Sequence, residues 1–187
     1  MPSPFRPVPP AGLAIIAMGV SGSGKSTLGA LLARKLDCPF LEGDDFHDAS
    51  AVAKMSAGQP LDDDDRWPWL DRLGQAVGEA LTSGGRAVAA CSALRRSYRD
   101  RLRGAIAAPT RFVLLDASHD ELLRRLTDRS GHYMPASLLE SQLATLERPG
   151  ADEAVFTLDA AAPPERLCDL TLAWLADARH VGDAARA

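Results

Sequence analysis

Short apolar runs alternate along the chain with longer segments in which apolar residues recur at helical spacing. The apolar runs show no polar alternation, which is typical of strands in a parallel sheet that helices cover on both faces. The pattern predicts strands at 13–18, 39–42, 86–91, 111–116 and 154–159. It predicts helices at 25–36, 66–82, 95–107, 119–129, 136–147 and 164–177. We therefore expect an α/β protein with a parallel sheet of about five strands between two layers of helices.

Two consecutive predicted helices between residues 119 and 148 interrupt the alternation of strand and helix. We interpret the segment from about 126 to 148 as a helical lid over a ligand site. Residues 1–11, which contain five prolines, and residues 179–187 are expected to be flexible tails. A single domain at 12–178 remains.

The chain of 187 residues carries a formal net charge of −4, which argues against nucleic acid or an anionic membrane as its partner. No apolar run approaches the roughly 18 residues of a membrane span, and the first residues lack the layout of a secretory signal. We therefore expect a cytoplasmic protein. Its three cysteines show no CxxC spacing, which favours reduced thiols over disulfides or a zinc site.

Residues 19–26 read GVSGSGKS and match the pattern GxxxxGK[ST] between a predicted strand and a predicted helix. In such a P-loop, backbone N–H groups and the helix N-terminus converge on phosphate oxygens, and glycines keep Cβ atoms out of the cradle. Lys25 is expected to reach the β- and γ-phosphates, and Ser26 to offer its hydroxyl to Mg²⁺. A glycine-rich turn with an incidental lysine is the alternative. We assign nucleotide binding to Gly19, Ser21, Gly22, Ser23, Gly24, Lys25, Ser26 and Thr27.

A nucleotide cradle alone does not distinguish an enzyme from a GTPase switch or a regulator. The second predicted strand ends in the acidic sequence EGDD at 42–45, and in a parallel sheet this end lies beside the P-loop. A carboxylate there can accept the proton of an attacking hydroxyl or hold a water on a metal. A solvated acidic turn is the other interpretation.

Further blocks follow in the order LEGDDFH, KMSAGQPLDDDDRWPWL, CSALRRSYRDRLR, RSGHYM and LERPGADE. Together with GVSGSGKST, they make the chain resemble the gluconate kinases, a family of small P-loop sugar-acid kinases related in fold to shikimate and adenylate kinases. The resemblance runs from about residue 13 to about residue 177. It implies a P-loop kinase fold, ATP and Mg²⁺ as cofactors and gluconate as the substrate. It also allows for a homodimer.

The resemblance further implies roles for individual side chains. Asp44 would orient and deprotonate the 6-hydroxyl of the substrate, and Glu42 would support the metal through water. An arginine, either Arg66 or Arg99, would pair with the substrate carboxylate in bidentate fashion. The substrate pocket as a whole is assigned to Asp44, His47, Asp65, Arg66, Ser92 and Arg99.

Arg125 and Arg129 lie four residues apart on the helix that enters the predicted lid, so they share a face. We assign both to the nucleotide, either on its phosphates or stacked on adenine. Solvated charges that pair with Asp128 or Glu121 are the alternative. The catalytic residues are then expected to be Lys25, Asp44 and Arg125.

Two positions depart from the family pattern. Ala51 stands where the family usually has asparagine, and Asp48 stands where proline is common. Because alanine has no polar side-chain atom, the acceptor specificity stays open. The leading hypothesis is ATP-dependent phosphorylation of D-gluconate to 6-phospho-D-gluconate. A shikimate-kinase-like enzyme acting on another small hydroxy or sugar acid, and a non-catalytic nucleotide-binding regulator, are the alternatives.

Overall fold

The computed structural model describes residues 12–128 and 136–184. The described residues form a sheet of five parallel strands in the order β2-β3-β1-β4-β5, which confirms the predicted α/β class. The strands are β1 (Leu13–Met18), β2 (Phe40–Glu42), β3 (Arg86–Ala90), β4 (Thr110–Asp116) and β5 (Val155–Asp159). The helices are α1 (Lys25–Leu36), α2 (Ala49–Ser56), α3 (Asp63–Gly84), α4 (Arg96–Ile106), α5 (His119–Asp128), α6 (Ala136–Thr145) and α7 (Pro164–Ala184). None of the described helices combines the length and apolarity needed to cross a bilayer.

Two apolar layers cover the sheet on opposite faces. Helices α3 and α4 pack on one face through side chains such as Leu73 and Leu102, and Ile16 of β1 points into this layer. Helices α1 and α7 pack on the other face, into which the neighbouring Ile15 points. Successive residues of a strand point to opposite faces, so a strand buried on both faces must be apolar throughout.

The register of the central strands sets the position of the site. Ala90 of β3 pairs with Ala17 of β1 on one side and with Glu42 of β2 on the other. The carboxyl ends of these three strands therefore lie in one row at one edge of the sheet. Ligands of open α/β sheets bind at this edge.

Helix α3 begins three residues earlier than the sequence predicts. The side chain of Asp62 accepts a hydrogen bond from the backbone N–H of Asp65 at 3.0 Å, and the side chain of Asp65 accepts one from the N–H of Asp62 at 3.1 Å. This reciprocal capping box satisfies two N–H groups that a helix start leaves without partners. It places Pro68 in the second turn of the helix.

The sequence prediction omitted helix α2 and the short 3-10 helix Gly43–Phe46. The side chain of Asp48 caps α2 by accepting a hydrogen bond from the N–H of Ala51 at 2.8 Å. Asp48, where the family often has proline, thus supplies the helix start. Ala51 is 1% exposed, so position 51 faces the interior.

Helix α7 continues to Ala184, seven residues beyond its predicted end. The expected flexible tail at 179–187 stays a prediction, and residues 185–187 lie outside the described residues. Alanine-rich sequence sustains a helix, and the isolated Gly182 costs only about 1 kcal/mol there. The predicted tail at 1–11 lies outside the described residues, as does 129–135 within the predicted lid.

A substitution at Gly43 tests how tightly the end of β2 is fixed. A Cβ atom at this buried position would lie 2.2 Å from the carbonyl oxygen of Ala90. We expect Gly43→Ala to lower the free energy of unfolding by about 1–3 kcal/mol in urea denaturation. Gly84→Ala, at an exposed site where a Cβ meets no atom within 4 Å, is the control and should shift stability by no more than about 1 kcal/mol. Equal losses in both variants would contradict the expected close contact.

Candidate active site

The loop between β1 and α1 has the backbone of an anion cradle. Gly19, Gly22 and Gly24 have φ angles of 141°, 82° and 100°, which side chains disfavour. A Cβ on Gly19 would also lie 2.8 Å from the carbonyl oxygen of Leu115. Gly24 is the N-cap residue of α1 and no side chain caps this helix, so its first N–H groups are available to an anion.

The side chains of the loop fit a phosphate ligand. The hydroxyl oxygen of Ser23 is buried and has no hydrogen-bond partner among the described residues. The ammonium group of Lys25 donates to the carbonyl oxygen of Val20 at 3.1 Å, so it lies across the loop. Ser26 and Thr27 are exposed at the first turn of α1. A buried polar atom normally has a partner, so its lack at Ser23 suits a site that a polar ligand completes.

Arg125 of α5 lies beside this loop, as the sequence suggested. Its guanidinium donates to the carbonyl oxygen of Ser23 at 3.3 Å, to that of Ala160 at 2.6 Å and to the Glu121 carboxylate at 2.6 Å. An adjoining cavity of about 310 Å³ is lined by Gly22, Ser23, Gly24, Thr27, Leu28, Arg125, Ala160, Ala162, Pro164 and Leu167. The cavity thus extends from the P-loop toward the β5–α7 connection. Arg129, the second predicted nucleotide arginine, lies outside the described residues.

Glu42 ends β2 beside Ala90 of β3, and Asp44 follows it in the 3-10 helix, next in space to the buried Cys91 that follows β3. The pKa of the Cys91 thiol is raised to about 12, mainly by burial; a backbone hydrogen bond at Ala93 and the charge of Lys25 oppose this rise, and the charges of Asp44 and Glu42 add to it. All three charges therefore act on one buried thiol. Cys91 itself stays protonated, which excludes it as a nucleophile near neutral pH. The Asp44 side chain is 79% exposed and is free to meet a ligand.

His47 is held in a neutral state at the acidic turn. Its ring stacks on Trp69 at a centroid distance of 4.3 Å, and its side chain is 3% exposed. Burial lowers the pKa of His47; the Asp44 carboxylate, 3.9 Å from Nε2, opposes this effect. Nδ1 is buried without a hydrogen-bond partner among the described residues. The neutral ring can therefore donate or accept one hydrogen bond at a ligand.

Two arginines share one carboxylate next to this turn. Arg66 donates to the hydroxyl of Tyr98 at 3.0 Å, and Arg95 donates to the carboxylate of Asp63 at 3.3 Å. Asp63 also accepts a hydrogen bond from Tyr98 and lies 3.8 Å from Arg66. Two positive charges around one negative charge leave a net positive site that suits an anion.

Arg95 was not among the residues that the sequence assigned to the site, so the arginine pair was missed. One feature could have pointed to Arg95. It is the N-cap residue of α4, and the first turn of that helix contains no acidic residue. A cation there is unfavourable to the helix dipole. Such a placement indicates a function that outweighs the cost.

The structure corrects the assignment of Asp65 to the acceptor pocket. Both of its carboxylate oxygens lie 2.7 Å from the ammonium group of Lys54, and one also accepts from the N–H of Asp62. Asp65 therefore completes the cap of α3 and ties α2 to α3.

The structure also corrects the assignment of Arg99. Its side chain is fully buried and forms a bidentate pair with Glu153, at N···O distances of 2.6 and 2.9 Å. Its remaining donors reach the carbonyl oxygens of Ala93, Leu94 and Glu147, each at 3.2 Å. Arg99 thus joins the segment after β3 to the segment after α6, and every part of its guanidinium is engaged within the protein.

Ser92 lies where the loop after β3 meets the P-loop. Its carbonyl oxygen accepts a hydrogen bond from the N–H of Gly19 at 3.3 Å, which places the loop after β3 against the P-loop. Gln142 of α6 reaches the same region by accepting a hydrogen bond from the N–H of Ser21 at 2.7 Å. No motif in the sequence analysis pointed to Gln142, because its approach depends on how α6 packs.

A P-loop with Lys25 across it, together with carboxylates that follow another strand at the same edge of the sheet, is typical of phosphoryl-transfer enzymes. On a parallel sheet of this strand order, it defines the class of the P-loop small-molecule kinases.

Comparison with known proteins narrows this class. The family model described as an AAA domain matches residues 15–149. A gluconokinase of Gluconobacter oxydans is 50% identical over 151 residues, which cover 81% of this chain and 84% of that protein. The thermosensitive gluconokinase of Escherichia coli is 45% identical over 143 residues, covering 76% of each chain. The crystal structure of a gluconokinase from Sinorhizobium meliloti superposes with a TM-score of 0.79 at 44% identity, covering 90% of this chain and 96% of that one.

The chain belongs to the gluconokinase family. The resemblance drawn from the sequence blocks is thereby confirmed. The individual residue roles remain predictions that the geometry supports to different degrees.

The neutral state of His47 sets an expected pH dependence of stability. The unfolded chain binds a proton at this histidine near pH 6.5, whereas the folded chain resists it because burial lowers the pKa. Keeping His47 unprotonated therefore costs the folded protein no stability above about pH 7. Below about pH 6.5, where the unfolded chain takes up the proton, the free energy of unfolding falls. We expect urea denaturation to show a steeper loss of stability between about pH 7 and pH 5 in the wild type than in His47→Asn. Parallel curves would contradict this interpretation.

The buried Arg99–Glu153 pair leads to a second prediction. Arg99→Met leaves the Glu153 carboxylate buried without its partner and should cost about 3–5 kcal/mol of unfolding free energy. The control is Arg101→Met, which removes a bidentate pair with Asp71 whose side chains are 49% and 35% exposed. That variant should lose no more than about 1 kcal/mol. A normal stability of Arg99→Met with a raised KM for the acceptor would restore the original assignment.

Proposed function

We propose that this protein transfers the γ-phosphoryl group of ATP to the 6-hydroxyl of D-gluconate, giving 6-phospho-D-gluconate and ADP. The observation that carries the proposal is the strand register, which places the P-loop after β1 and the acidic segment with Glu42 and Asp44 after β2 at one edge of the sheet. Membership of the gluconokinase family supports the choice of acceptor.

The donor half holds the triphosphate. The glycine backbone, the N-terminus of α1 and Lys25 bind the phosphate oxygens, and Arg125 lies at the side of the cradle. The nucleoside extends into the cavity that reaches Ala160 and Pro164. The walls of this cavity combine backbone groups with apolar side chains, which suits a nucleobase.

Magnesium fits this donor set. Among the described residues, no cluster of three histidine, cysteine or carboxylate side chains is able to hold a metal. Mg²⁺ typically takes one or two protein groups and fills its octahedron with phosphates and water. Ser26 would contribute its hydroxyl and Glu42 would hold a coordinated water. When bound, the ion neutralises charge on the phosphates.

The acceptor half steers the hydroxyl. Asp44 accepts the proton as the 6-oxygen forms its bond to phosphorus and the bond to the β-phosphate oxygen breaks. His47, held neutral by burial, adds one hydrogen bond to the sugar acid. The pair of Arg66 and Arg95 binds the carboxylate, because its two cations are compensated by a single aspartate.

A kinase of another sugar acid is the second candidate, and one observation favours it. Ala51 is buried on the inner side of α2, where asparagine is usual in the family. This position therefore lacks a polar side chain facing the interior. A shorter or less hydroxylated acid would lose less from that absence than gluconate would.

An acceptor panel tests the proposal. Mg·ATP is offered with gluconate, shikimate, glycerate or a nucleoside monophosphate, and ADP release is followed in a coupled assay. We expect gluconate to give the largest kcat/KM, and phosphorus NMR of the product to show a 6-phosphate ester. Turnover of another acceptor without turnover of gluconate would refute the assignment. Nucleotide binding without ADP release from any acceptor would favour a regulator.

The matched variants for this assay are neighbours in one 3-10 helix. Asp44→Asn removes the proton acceptor and should lower kcat by about 10²–10⁴ while an unreactive ATP analogue still binds. Asp45→Asn changes an exposed carboxylate one residue away and should leave kcat within about twofold of wild type. An equal loss in both variants would show that Asp44 acts only through the local charge.

A further inference from the structure

Helix α6 is fixed against the P-loop and against the loop that follows β3. Leu139 is fully buried in an apolar cluster that includes Val20 and Leu94. The N–H of Glu147 donates to the carbonyl oxygen of Leu94 at 2.8 Å, and its carboxylate accepts from the N–H of Arg96 at 2.8 Å. The helix is therefore part of the packed body on both sides of the site.

This docking brings a side-chain amide to the P-loop. Oε1 of Gln142 accepts a hydrogen bond from the backbone N–H of Ser21 at 2.7 Å. A backbone N–H only donates, so the oxygen of the carboxamide must face Ser21. The two N–H donors of Nε2, on the same carbon, are then not used by Ser21.

Ser21 lies in the P-loop between Gly19, which contacts the loop after β3, and the residues that line the cavity. On one side, the N–H of Gly19 bonds to the carbonyl oxygen of Ser92 in the loop after β3. On the other side, Gly22 and Ser23 line the nucleotide cavity. The amide that Gln142 holds therefore lies in the loop between the residue bonded to Ser92 and the residues that line the cavity.

We propose that Gln142 is a catalytic residue of the phosphoryl transfer. Its Oε1 fixes the Ser21 amide, and its Nε2 donates a hydrogen bond to an equatorial oxygen of the transferring group. This inference rests on the proposed function, because it requires a reaction at the Ser21 end of the loop. Charge spreads over the equatorial oxygens in the transition state, so a fixed neutral donor there stabilises it preferentially.

The fixed position of α6 favours this role over that of a plug which nucleotide displaces. Moving α6 away would break the packing of Leu139 in the cluster with Val20 and the hydrogen bonds of Glu147, just after the helix, with Leu94 and Arg96. Gln142 therefore projects from a backbone that is held in place, and its Oε1 is held by the Ser21 N–H. A side chain anchored in this way is preorganised, as an effective electrostatic donor must be.

Two substitutions separate the two halves of the carboxamide. Gln142→Ala removes both, whereas Gln142→Glu keeps an oxygen for the Ser21 N–H but replaces the Nε2 donor with an anion. We expect kcat to fall by about 10²-fold in Gln142→Ala and at least as far in Gln142→Glu, with the Kd of an unreactive ATP analogue changed by less than about threefold in Gln142→Ala. Gln75→Ala, which changes an exposed glutamine on α3, should stay within about twofold of wild type.

A binding measurement checks the same idea without turnover. ADP with aluminium fluoride mimics the planar transferring group, so Gln142→Ala should weaken its binding by about tenfold or more relative to the ATP analogue. Wild-type kcat in Gln142→Glu, or equal losses for both ligands in Gln142→Ala, would overturn the proposal. If gluconate itself is not turned over, the proposed function fails, and the same variants are compared with the acceptor that the panel selects.

Discussion

The site depends on the register in which Ala90 of β3 pairs with both Ala17 of β1 and Glu42 of β2. This single row brings together the P-loop that follows β1 and the acidic turn that follows β2. The proposed reaction needs both segments, one to bind phosphate and the other to orient the hydroxyl. A parallel sheet places both at one edge, since all its strands end on the same side. The buried Gly43 lets the acidic turn begin directly against the carbonyl of Ala90 at the end of β3.

The positively charged side chains are concentrated at a few places in the structure. The chain is acidic overall, yet Lys25 and Arg125 lie at the P-loop, and Arg66 and Arg95 lie together around Asp63, where the proposed function needs anions to bind. A local positive field within an acidic protein attracts anionic ligands without a generally basic surface. Other arginines serve the fold instead. Buried among carbonyl groups and paired with Glu153, Arg99 links the loop after β3 to the segment after α6.

Much of this arrangement was predictable because its signals are local. A strand covered on both faces must be apolar throughout, and positive-φ turns favour glycine, so the sheet and the P-loop are visible in the residues themselves. Elements set by capping were harder to place. Helix α2 begins at a cap formed by Asp48. The start of α3 depends on Asp62 and Asp65, and the sequence does not show which aspartates of the run 62–65 form the cap.

By itself, the sequence determined the fold class, the phosphate cradle and the family, because glycine conformation, hydrophobic period and motif order are properties of the chain alone. Only the tertiary structure decided which arginine is available to a ligand: Arg99 is sequestered by Glu153, while Arg95 joins Arg66 around Asp63. The same holds for Gln142, which meets Ser21 across 121 positions of sequence. Long-range pairing of polar side chains is set by how helices pack, and helix packing is not written in the local pattern of any one segment.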